Sequence, residues 1–186
     1  MAKTTTYDEA QIIEQLHHPD TLSSAFGKVI EHYSQPLYWQ IRRMVIDHDD
    51  ANDVLQNTFI KAWTNISNFR GDSKLSTWLY KIAVNESITF INKKKVQNNI
   101  SLDDDSSFLV NSLEADKYFD GDQAQIKLQK AIATLPDKQR LVFNMRYYDE
   151  IKYEDMSEIL GTSVGALKAS YHHAVKKIES FFADED

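Results

Sequence analysis

Apolar residues recur every three or four positions along almost the whole chain, the spacing that builds one face of a helix. After Pro19, for example, the apolar positions include Leu22, Phe26 and Val29. No segment alternates apolar and polar residues convincingly, as a half-buried strand does. The pattern therefore predicts an all-α protein, with helices that include about residues 7–18, 51–65, 77–94, 123–133 and 136–148.

Several residues predict where these helices start, stop or bend. Pro36 should kink or break the second helix, because proline lacks the amide proton that the helix needs. Asp50, with Asp53 three residues later, is expected to cap the helix that follows. That helix is expected to bury Trp63 near its C-terminal end. Ser73 or Ser76 is expected to cap the long helix over about residues 77–94.

The segment 153–176 has a pattern of its own, with two short apolar helices on either side of a turn. Met156, Ile159 and Leu160 form one apolar face, and Gly161 follows where a helix end favours positive φ. Ser163 can cap a second helix. The apolar positions of that helix are Leu167, Tyr171, Ala174, Val175 and Ile178. This arrangement is typical of a helix-turn-helix that enters a DNA major groove, although an ordinary helical hairpin remains an alternative.

The charge distribution makes a nucleic-acid partner compatible with a net charge of −7. Residues 61–95 carry seven basic and two acidic side chains, and the charged residues of 162–178 are all lysines. Residues 99–122 carry seven acidic side chains and one lysine. Because local fields steer a polyanion more than the total charge does, two basic regions separated by an acidic one remain candidates for DNA binding.

The acidic segment also divides the chain. Residues 96–122 are polar and rich in Asn, Ser and Asp, so we expect a linker that is mostly unfolded when free. The predicted fold is therefore all-α, with two small helical domains joined by an acidic flexible linker. The domains are 1–95 and 123–186, and the second is a helix-turn-helix (winged-helix-like) domain.

Other classes of protein find little support. The chain has no cysteine, its start lacks the apolar core of a signal peptide, and no apolar run has membrane-spanning length, so we expect a cytoplasmic protein. Asp47, Asp49, Asp50 and Asp53 lack calcium-loop spacing and are better explained by helix capping. No nucleophile pattern or phosphate-binding glycine loop is present. We therefore expect no metal, no cofactor and no enzymatic activity.

The segment 68–95 mixes basic residues with aromatic and amide side chains. Aromatic rings can stack on unpaired bases while lysines contact phosphates, so this segment is a candidate for binding single-stranded DNA. The alternative is that Phe69 and Trp78 belong to the core and that the lysines are solvated. For Trp78 alone, the core is the better interpretation.

Two long runs carry a resemblance to a known family. The run DDANDVLQNTFIKAWTNISNFRGDSKLSTWLYKIAVNESITFINKKK resembles region two of the extracytoplasmic-function sigma factors of bacterial RNA polymerase. The run LPDKQRLVFNMRYYDEIKYEDMSEILGTSVGALKASYHHAVKKI resembles their region four. Their order, with an acidic linker between them, fits this two-domain group over about residues 20–182.

The resemblance implies a polymerase-binding and a promoter-binding surface in region two. The helix from Asp53 to Trp63 would bind the clamp helices of the largest polymerase subunit. Its candidate contact residues are Asp53, Gln56, Asn57 and Lys61. The loop 69–76 and the next helix would read the minus-ten element, with one flipped base near Phe69 and Asn85. The candidate residues for this element are Phe69, Lys74, Trp78, Lys81, Asn85, Lys93, Lys94 and Lys95.

For region four, the resemblance implies that the helix from Val164 to Lys177 enters the major groove of the minus-thirty-five element. Its candidate contact residues are Ser163, Val164, Ala166, Lys168, Ala169, His172 and Lys176. The small side chains among them favour shape and methyl contacts over paired hydrogen bonds to one base. Lys168 and His172 would then supply the longer donors.

The implied partners are RNA polymerase core, through its clamp helices and flap, promoter DNA, and an anti-sigma factor that holds the protein inactive. The implied function is to direct the polymerase to specific promoters and to stabilise the melted strand. A dimeric helix-turn-helix regulator is the main alternative, but it leaves the basic and aromatic segment unexplained. An enzyme with an added DNA-binding domain is a third possibility that lacks a catalytic constellation.

Overall fold

The computed structural model describes residues 7–98, 105–115 and 121–184, and within these ranges it contains helices and no strand. No helix in this part of the chain is both long and apolar enough to cross a membrane. The α-helices are α1 (Glu9–Leu16), α2 (Pro19–Val45), α3 (His48–Asn65), α4 (Leu75–Gln97), α5 (Asp105–Ala115), α6 (Gln123–Ala133), α7 (Asp137–Tyr147), α8 (Tyr153–Leu160) and α9 (Val164–Asp184). A 3₁₀ turn, Ile66–Asn68, follows α3.

Helices α1 to α4 form the N-terminal half around one apolar core. Helix α2 packs against α1, α3 and α4, and its side chains Leu37 and Ile41 are fully buried in this core. The predicted break at Pro36 does not occur, because α2 runs unbroken from Pro19 to Val45. Tyr33 before the proline and Leu37 after it are both buried, so packing on both sides outweighs the missing backbone hydrogen bond.

Two predicted caps in this half lie at other residues. Asp47, rather than Asp50, caps α3, since its carboxylate accepts a hydrogen bond of 2.9 Å from the Asp50 amide. Ile46, which follows the last residue of α2, has a φ of 69°, and this sharp turn leaves only Ile46 and Asp47 between the two helices. Helix α4 starts at Leu75 with Lys74 at its cap position and no side-chain cap, so neither Ser73 nor Ser76 caps it.

Helices α6 to α9 form the C-terminal half, and the predicted helix-turn-helix is confirmed in α8 and α9. Gly161 has a φ of 63° at the end of α8, and the Ala166 amide donates a 3.2 Å hydrogen bond to Ser163 Oγ. Met156 and Leu167 are fully buried between the two helices and their neighbours. The described part of this half has no strand, so it lacks the β-wing of a winged-helix domain; no segment here alternates as a strand would.

The acidic segment differs in part from the expected unfolded linker. Residues 105–115 form α5, whereas 99–104 and 116–120 lie outside the described residues. Leu109 and Leu113, one helical turn apart, are buried against Ile46 of the N-terminal half and Ala133 of the C-terminal half. Burial of these two leucines explains why a polar, acidic stretch contains a helix.

The two halves pack directly against each other, α4 on α8 and α2 on α7. Three ion pairs cross between them, and we call their six residues the interdomain seam. They are Arg43 with Asp149, Lys95 with Asp137, and Lys74 with Asp155. The apolar core is continuous across this contact, so the halves form one packed body in this structure.

The turn of the helix-turn-helix can be tested with two glycine substitutions. A Cβ added at Gly161 or Gly165 meets no atom within 4 Å, so only backbone conformation distinguishes the sites. Gly161→Ala should lower the free energy of unfolding by about 1–2 kcal/mol, because L-residues disfavour the left-handed region. Gly165→Ala, inside α9, should raise it by about 0.5–1 kcal/mol. Urea unfolding followed by circular dichroism measures both, and shifts of the same sign would contradict this assignment.

Candidate nucleic-acid interface

The outer face of α9 is an open ridge. Leu167, Ala174 and Ile178 bury the opposite face of the helix. Of the residues predicted to contact the minus-thirty-five element, Val164 is half-buried, and the exposed ones are Ser163, Ala166, Lys168, Ala169, His172 and Lys176. Their spacing places them along one side of the helix, which has the width that a major groove admits.

The chemistry of this ridge is mostly small and neutral, with a few long donors. Lys168 Nζ lies 5.7 Å from the centre of the Tyr153 ring, so a cation–π contact with α8 orients the lysine. The rings of His172 and His173 are 6.0 Å apart. His173 and Gly165 are also exposed on α9. Sequence reasoning omitted these two residues, although their helical spacing already placed them beside the predicted contacts.

A second surface lies where α3 meets the first turns of α4. A cavity of about 290 Å³ opens there, between aromatic, amide and charged side chains. Its lining residues are Lys61, Asn65, Asn68, Trp78, Ile82, Asn85 and Glu86. Trp78 is half-buried and Asn85 is exposed, so the cavity combines a stacking surface with hydrogen-bonding amides. The structure thus brings together Trp78 and Asn85, two of the residues predicted for the minus-ten element.

Phe69 does not present its ring at this surface. Its side chain is 3% exposed, and its ring centre lies 5.2 Å from that of Trp78. The Phe69 carbonyl accepts a 3.0 Å hydrogen bond from His17 Nε2 of α1. In this conformation the Phe69 ring therefore packs against Trp78, and the role of Phe69 near a flipped base stays a prediction.

The lysines predicted to hold phosphates do not share one environment. Lys81 and Lys93 are exposed on α4, whereas Lys94 is half-buried and forms an ion pair with Asp50. Lys95 is 7% exposed, and its Nζ lies 3.2 Å from an Asp137 carboxylate oxygen. Lys95 thus lies in the interdomain seam in this structure, and its contact with DNA stays a prediction. Lys74 is exposed, but it also lies in the seam, 3.5 Å from Asp155.

The predicted polymerase-binding residues divide into two groups. Asp53, Gln56 and Asn57 are exposed on α3 and line a groove against the end of α4. Lys61 lies elsewhere: it pairs with Glu86 and lines the cavity beside Trp78 and Asn85. The structure therefore groups Lys61 with the predicted minus-ten residues.

Exposed apolar side chains form a feature that the sequence analysis missed. Trp63 was expected in the core but is 44% exposed, and Ile60 beside it on α3 is 56% exposed. The Trp63 ring lies 5.1 Å from that of Phe26, and Ile30, one turn further along α2, is also exposed. Neighbouring exposed apolar residues indicate a contact surface. The sequence did not reveal this surface, because Trp63 follows the buried Phe59 by four residues and so also fits the buried side of α3.

The carboxyl groups of Asp149 and Asp137 in the interdomain seam have pKa values shifted in opposite directions. Burial raises the pKa of Asp149, and the neighbouring Arg43 offsets this only in part. Burial would also raise the pKa of Asp137, but Arg140 and Lys95 outweigh it and hold that pKa below its usual value. Tyr80 faces the Arg43–Asp149 pair, and burial, with the Asp149 charge, raises its pKa. Asp137 therefore stays ionised over a wide pH range.

Comparison with known proteins gives the same two-part division. The family model for sigma-70 region 2 matches residues 29–96, and that for sigma-70 region 4 matches residues 125–178. SigW, an ECF RNA polymerase sigma factor of Bacillus subtilis, is 30% identical over 86% of this chain and 90% of its own. The ECF sigma-E factor of Haemophilus influenzae is 28% identical over 97% of both chains.

Solved structures show the same fold at lower identity. CnrH in complex with the cytosolic domain of CnrY matches with a TM-score of 0.70 and 17% identity, over 96% of this chain and 99% of that one. The sigma factor RpoE in complex with the anti-sigma factor NepR from Bartonella quintana matches with a TM-score of 0.65 and 21% identity, over 85% and 96%. From the sequence relatives and the matching regions, this chain belongs to the extracytoplasmic-function sigma factors of the sigma-70 family, which direct RNA polymerase to promoters for transcription initiation.

Proposed function

We propose that this sigma factor reads its promoter with two surfaces, one on each half of the chain. The observation that carries this proposal is the pairing of the Trp78–Asn85 cavity on α4 with the exposed ridge of α9. The cavity can hold an unpaired base, and the α9 ridge can lie in the groove of a duplex. A conventional duplex-binding regulator needs only the second, so the two together favour promoter opening.

At the minus-ten element, the cavity between α3 and α4 receives one flipped base of the non-template strand. Flipping costs a few kcal/mol of unstacking, and stacking on an aromatic ring returns about 1–3 kcal/mol. Trp78 supplies the stacking surface, and Asn85 and Asn65 supply hydrogen bonds to base edges. The exposed Lys81 and Lys93 contact phosphates on either side.

At the minus-thirty-five element, α9 lies in the major groove with its first turns against the base edges. Gly165, Ala166 and Ala169 let the helix backbone approach closely, so shape and methyl contacts dominate the reading. Lys168, held against Tyr153, and His172 provide the side-chain donors. Ser163 and Lys176 lie at the two ends of the contact.

RNA polymerase core binds the N-terminal half through the exposed polar residues of α3, with Asp53, Gln56 and Asn57 facing the clamp helices. The exposed Ile60 and Trp63 extend this surface and add apolar area that would be buried on binding. Region four contacts the flap. The solved structure of RpoE in complex with the anti-sigma factor NepR supports an anti-sigma partner for this chain also.

The division of labour follows domain boundaries at 1–95 and 123–186, with 96–122 as the connecting segment. The protein acts by positioning polymerase and DNA and carries no active site of its own, in line with its sigma-factor relatives. It works in the cytoplasm, where polymerase and promoter are found.

Run-off transcription tests the function as a whole. Purified core polymerase with this chain, on a library of promoter fragments, should give specific transcripts that depend on the chain. Mapping their start sites would reveal both promoter elements. If the chain instead shifts duplex DNA by itself and never associates with core polymerase, the dimeric regulator is the better description.

Asn85→Ala tests the minus-ten cavity. The substitution removes one amide from an exposed position, so promoter opening should fall while binding to core polymerase is retained. Permanganate footprinting measures opening, and gel filtration with core measures binding. Asn98→Ala, an exposed asparagine just after the same helix, is the matched control and should leave both unchanged. Equal loss of opening and core binding would make Asn85 structural.

Lys168→Ala tests the α9 ridge. Holoenzyme affinity for a minus-thirty-five duplex should fall, and the salt slope should decrease by about one if the lysine contacts a phosphate. Lys28→Ala is the control, because Lys28 is an exposed lysine of α2 in the N-terminal half, away from α9. Circular dichroism checks that both variants fold. Equal affinities for the two variants would remove Lys168 from the groove.

A further inference from the structure

Helix α1 contacts the loop before α4 at both of its ends, and we call this loop, residues 70–74, the α4 loop. The residues that flank it, Phe69 and Leu75, are 3% and 0% exposed. Between them the side chains of the loop are exposed, apart from the half-buried Ser73. The position of such a loop depends on how its two buried ends are held.

Glu9 of α1 holds the second end of the loop. The Leu75 amide donates a 3.3 Å hydrogen bond to Glu9 Oε1, although the two residues are 66 positions apart. The first amides of a helix have no partner within the helix, and α4 starts without a side-chain cap at Lys74. A carboxylate near a helix N-terminus also interacts favourably with the helix dipole. Glu9 therefore supplies the cap that the neighbouring sequence does not.

The other oxygen of Glu9 is held by α2. Tyr33, which is buried, donates a 3.1 Å hydrogen bond to Glu9 Oε2. Burial, with the neighbouring Tyr7 and Glu9, raises the pKa of Tyr33, so its hydroxyl keeps its proton and remains a donor at neutral pH. Both carboxylate oxygens of Glu9 are thus engaged, and the direction of the carboxylate is fixed.

His17, which follows the last residue of α1, holds the first end of the loop. Its Nδ1 lies 2.7 Å from the Ile13 carbonyl oxygen, and its Nε2 lies 3.0 Å from the Phe69 carbonyl oxygen. A neutral ring has a single N–H, so both contacts are hydrogen bonds together only when the ring carries two protons. Glu9 and His17 are about 12 Å apart along the helix axis, so α1 sets the separation of the two ends of the loop.

The α4 loop lies directly beside the Trp78–Asn85 cavity. The Phe69 ring centre lies 5.2 Å from that of Trp78, which lines the cavity. At the other end of the loop, the Lys74 carbonyl accepts a 3.1 Å hydrogen bond from the Trp78 amide. A shift at either end therefore moves the ring on which a flipped base would stack, and a binding site works only when its groups are held close to the productive geometry.

Helix α1 lies outside the part of the chain that matches the family. The match to sigma-70 region 2 begins at residue 29, after α1 and the first turns of α2. That match therefore assigns no role to Glu9 or His17, and their contacts with the α4 loop give these residues one.

We propose that α1 is a positioning element for promoter opening, in which Glu9 and His17 fix the two ends of the α4 loop and thereby place Trp78 against the flipped base. Glu9 and His17 are positioning residues and act through Leu75 and Phe69 without touching DNA. This inference rests on the proposed function, since it takes the Trp78–Asn85 cavity as the site of the flipped base.

Two substitutions of Glu9 test the cap. Glu9→Ala removes the acceptor of the Leu75 amide, so opening by the holoenzyme in permanganate footprinting should fall roughly two- to twelve-fold, the equivalent of one hydrogen bond. Glu9→Gln keeps an oxygen for that amide and should open promoters as the parent chain does. Glu14→Ala, at an exposed position of α1, is the control and should also open normally. Full opening by Glu9→Ala, or equal losses in Glu9→Ala and Glu9→Gln, would overturn the proposal.

Two substitutions of His17 separate its two contacts. The amide nitrogen of glutamine reaches about as far from the backbone as Nε2 of histidine, and that of asparagine about as far as Nδ1. His17→Gln should therefore keep the bond to the Phe69 carbonyl and open promoters normally, whereas His17→Asn should lose that bond and open them roughly two- to twelve-fold less. Both variants carry the same charge, so equal opening by the two would contradict the assignment of His17.

Hydrogen exchange of the unbound chain, followed by mass spectrometry, tests the contact without DNA. Glu9→Ala should speed exchange in peptides that cover residues 70–78 and leave those of α9 unchanged, whereas Glu14→Ala should change neither. Unchanged exchange in Glu9→Ala would overturn the proposal. Binding of Glu9→Ala to core polymerase, measured by gel filtration, should be retained. Parallel loss of core binding and opening would show that α1 only supports the fold.

The results also separate this inference from the proposed function. If Glu9→Ala speeds exchange without lowering opening while Asn85→Ala still lowers it, α1 does not position the site and the cavity keeps its assignment. If neither substitution lowers opening in a chain that gives run-off transcripts, the cavity loses its assignment and the positioning role of α1 fails with it.

Discussion

Helix α4 must satisfy three neighbours at once, and the rest of the molecule is arranged around that constraint. Leu75, Leu79 and Ala83 are fully buried in the core of the N-terminal half. Trp78 and Asn85 line the cavity on its outer face, while Ile91 and Lys95 lie on the side that meets the C-terminal half. Because one helix takes part in all three contacts, a change in one of them affects the other two.

The placement of charged residues explains how a protein with a negative net charge can bind DNA. Many of the negative charges cap helices, pair with basic side chains or lie in the connecting segment, and the α9 ridge carries only positive or neutral side chains. Asp137 is one example, because its single carboxylate pairs with two cations, Lys95 and the buried Arg140. Where the two halves pack together, acidic side chains of one half pair with basic side chains of the other.

The helix-turn-helix was predictable in detail, down to the left-handed Gly161 and the Ser163 cap. These features depend on residues within one or two helical turns, so local spacing is enough to identify them. The all-helical fold followed from periodicity in the same way. The exposed ridge of α9 followed too, because burying Leu167 dictates which residues face away.

Local patterns did not determine the environment of a residue where segments distant in sequence meet. Helical spacing alone does not distinguish Phe69, buried beneath Trp78, from an aromatic ring offered to a base, nor the exposed Trp63 from a core tryptophan. Lys95 looked like one more lysine at a helix end, but Asp137, 42 residues away, takes it into the seam. Sequence by itself determined the helices, the turn and the family. Only tertiary packing decided which cations face solvent and whether the halves close, because both depend on contacts between segments that no local pattern records.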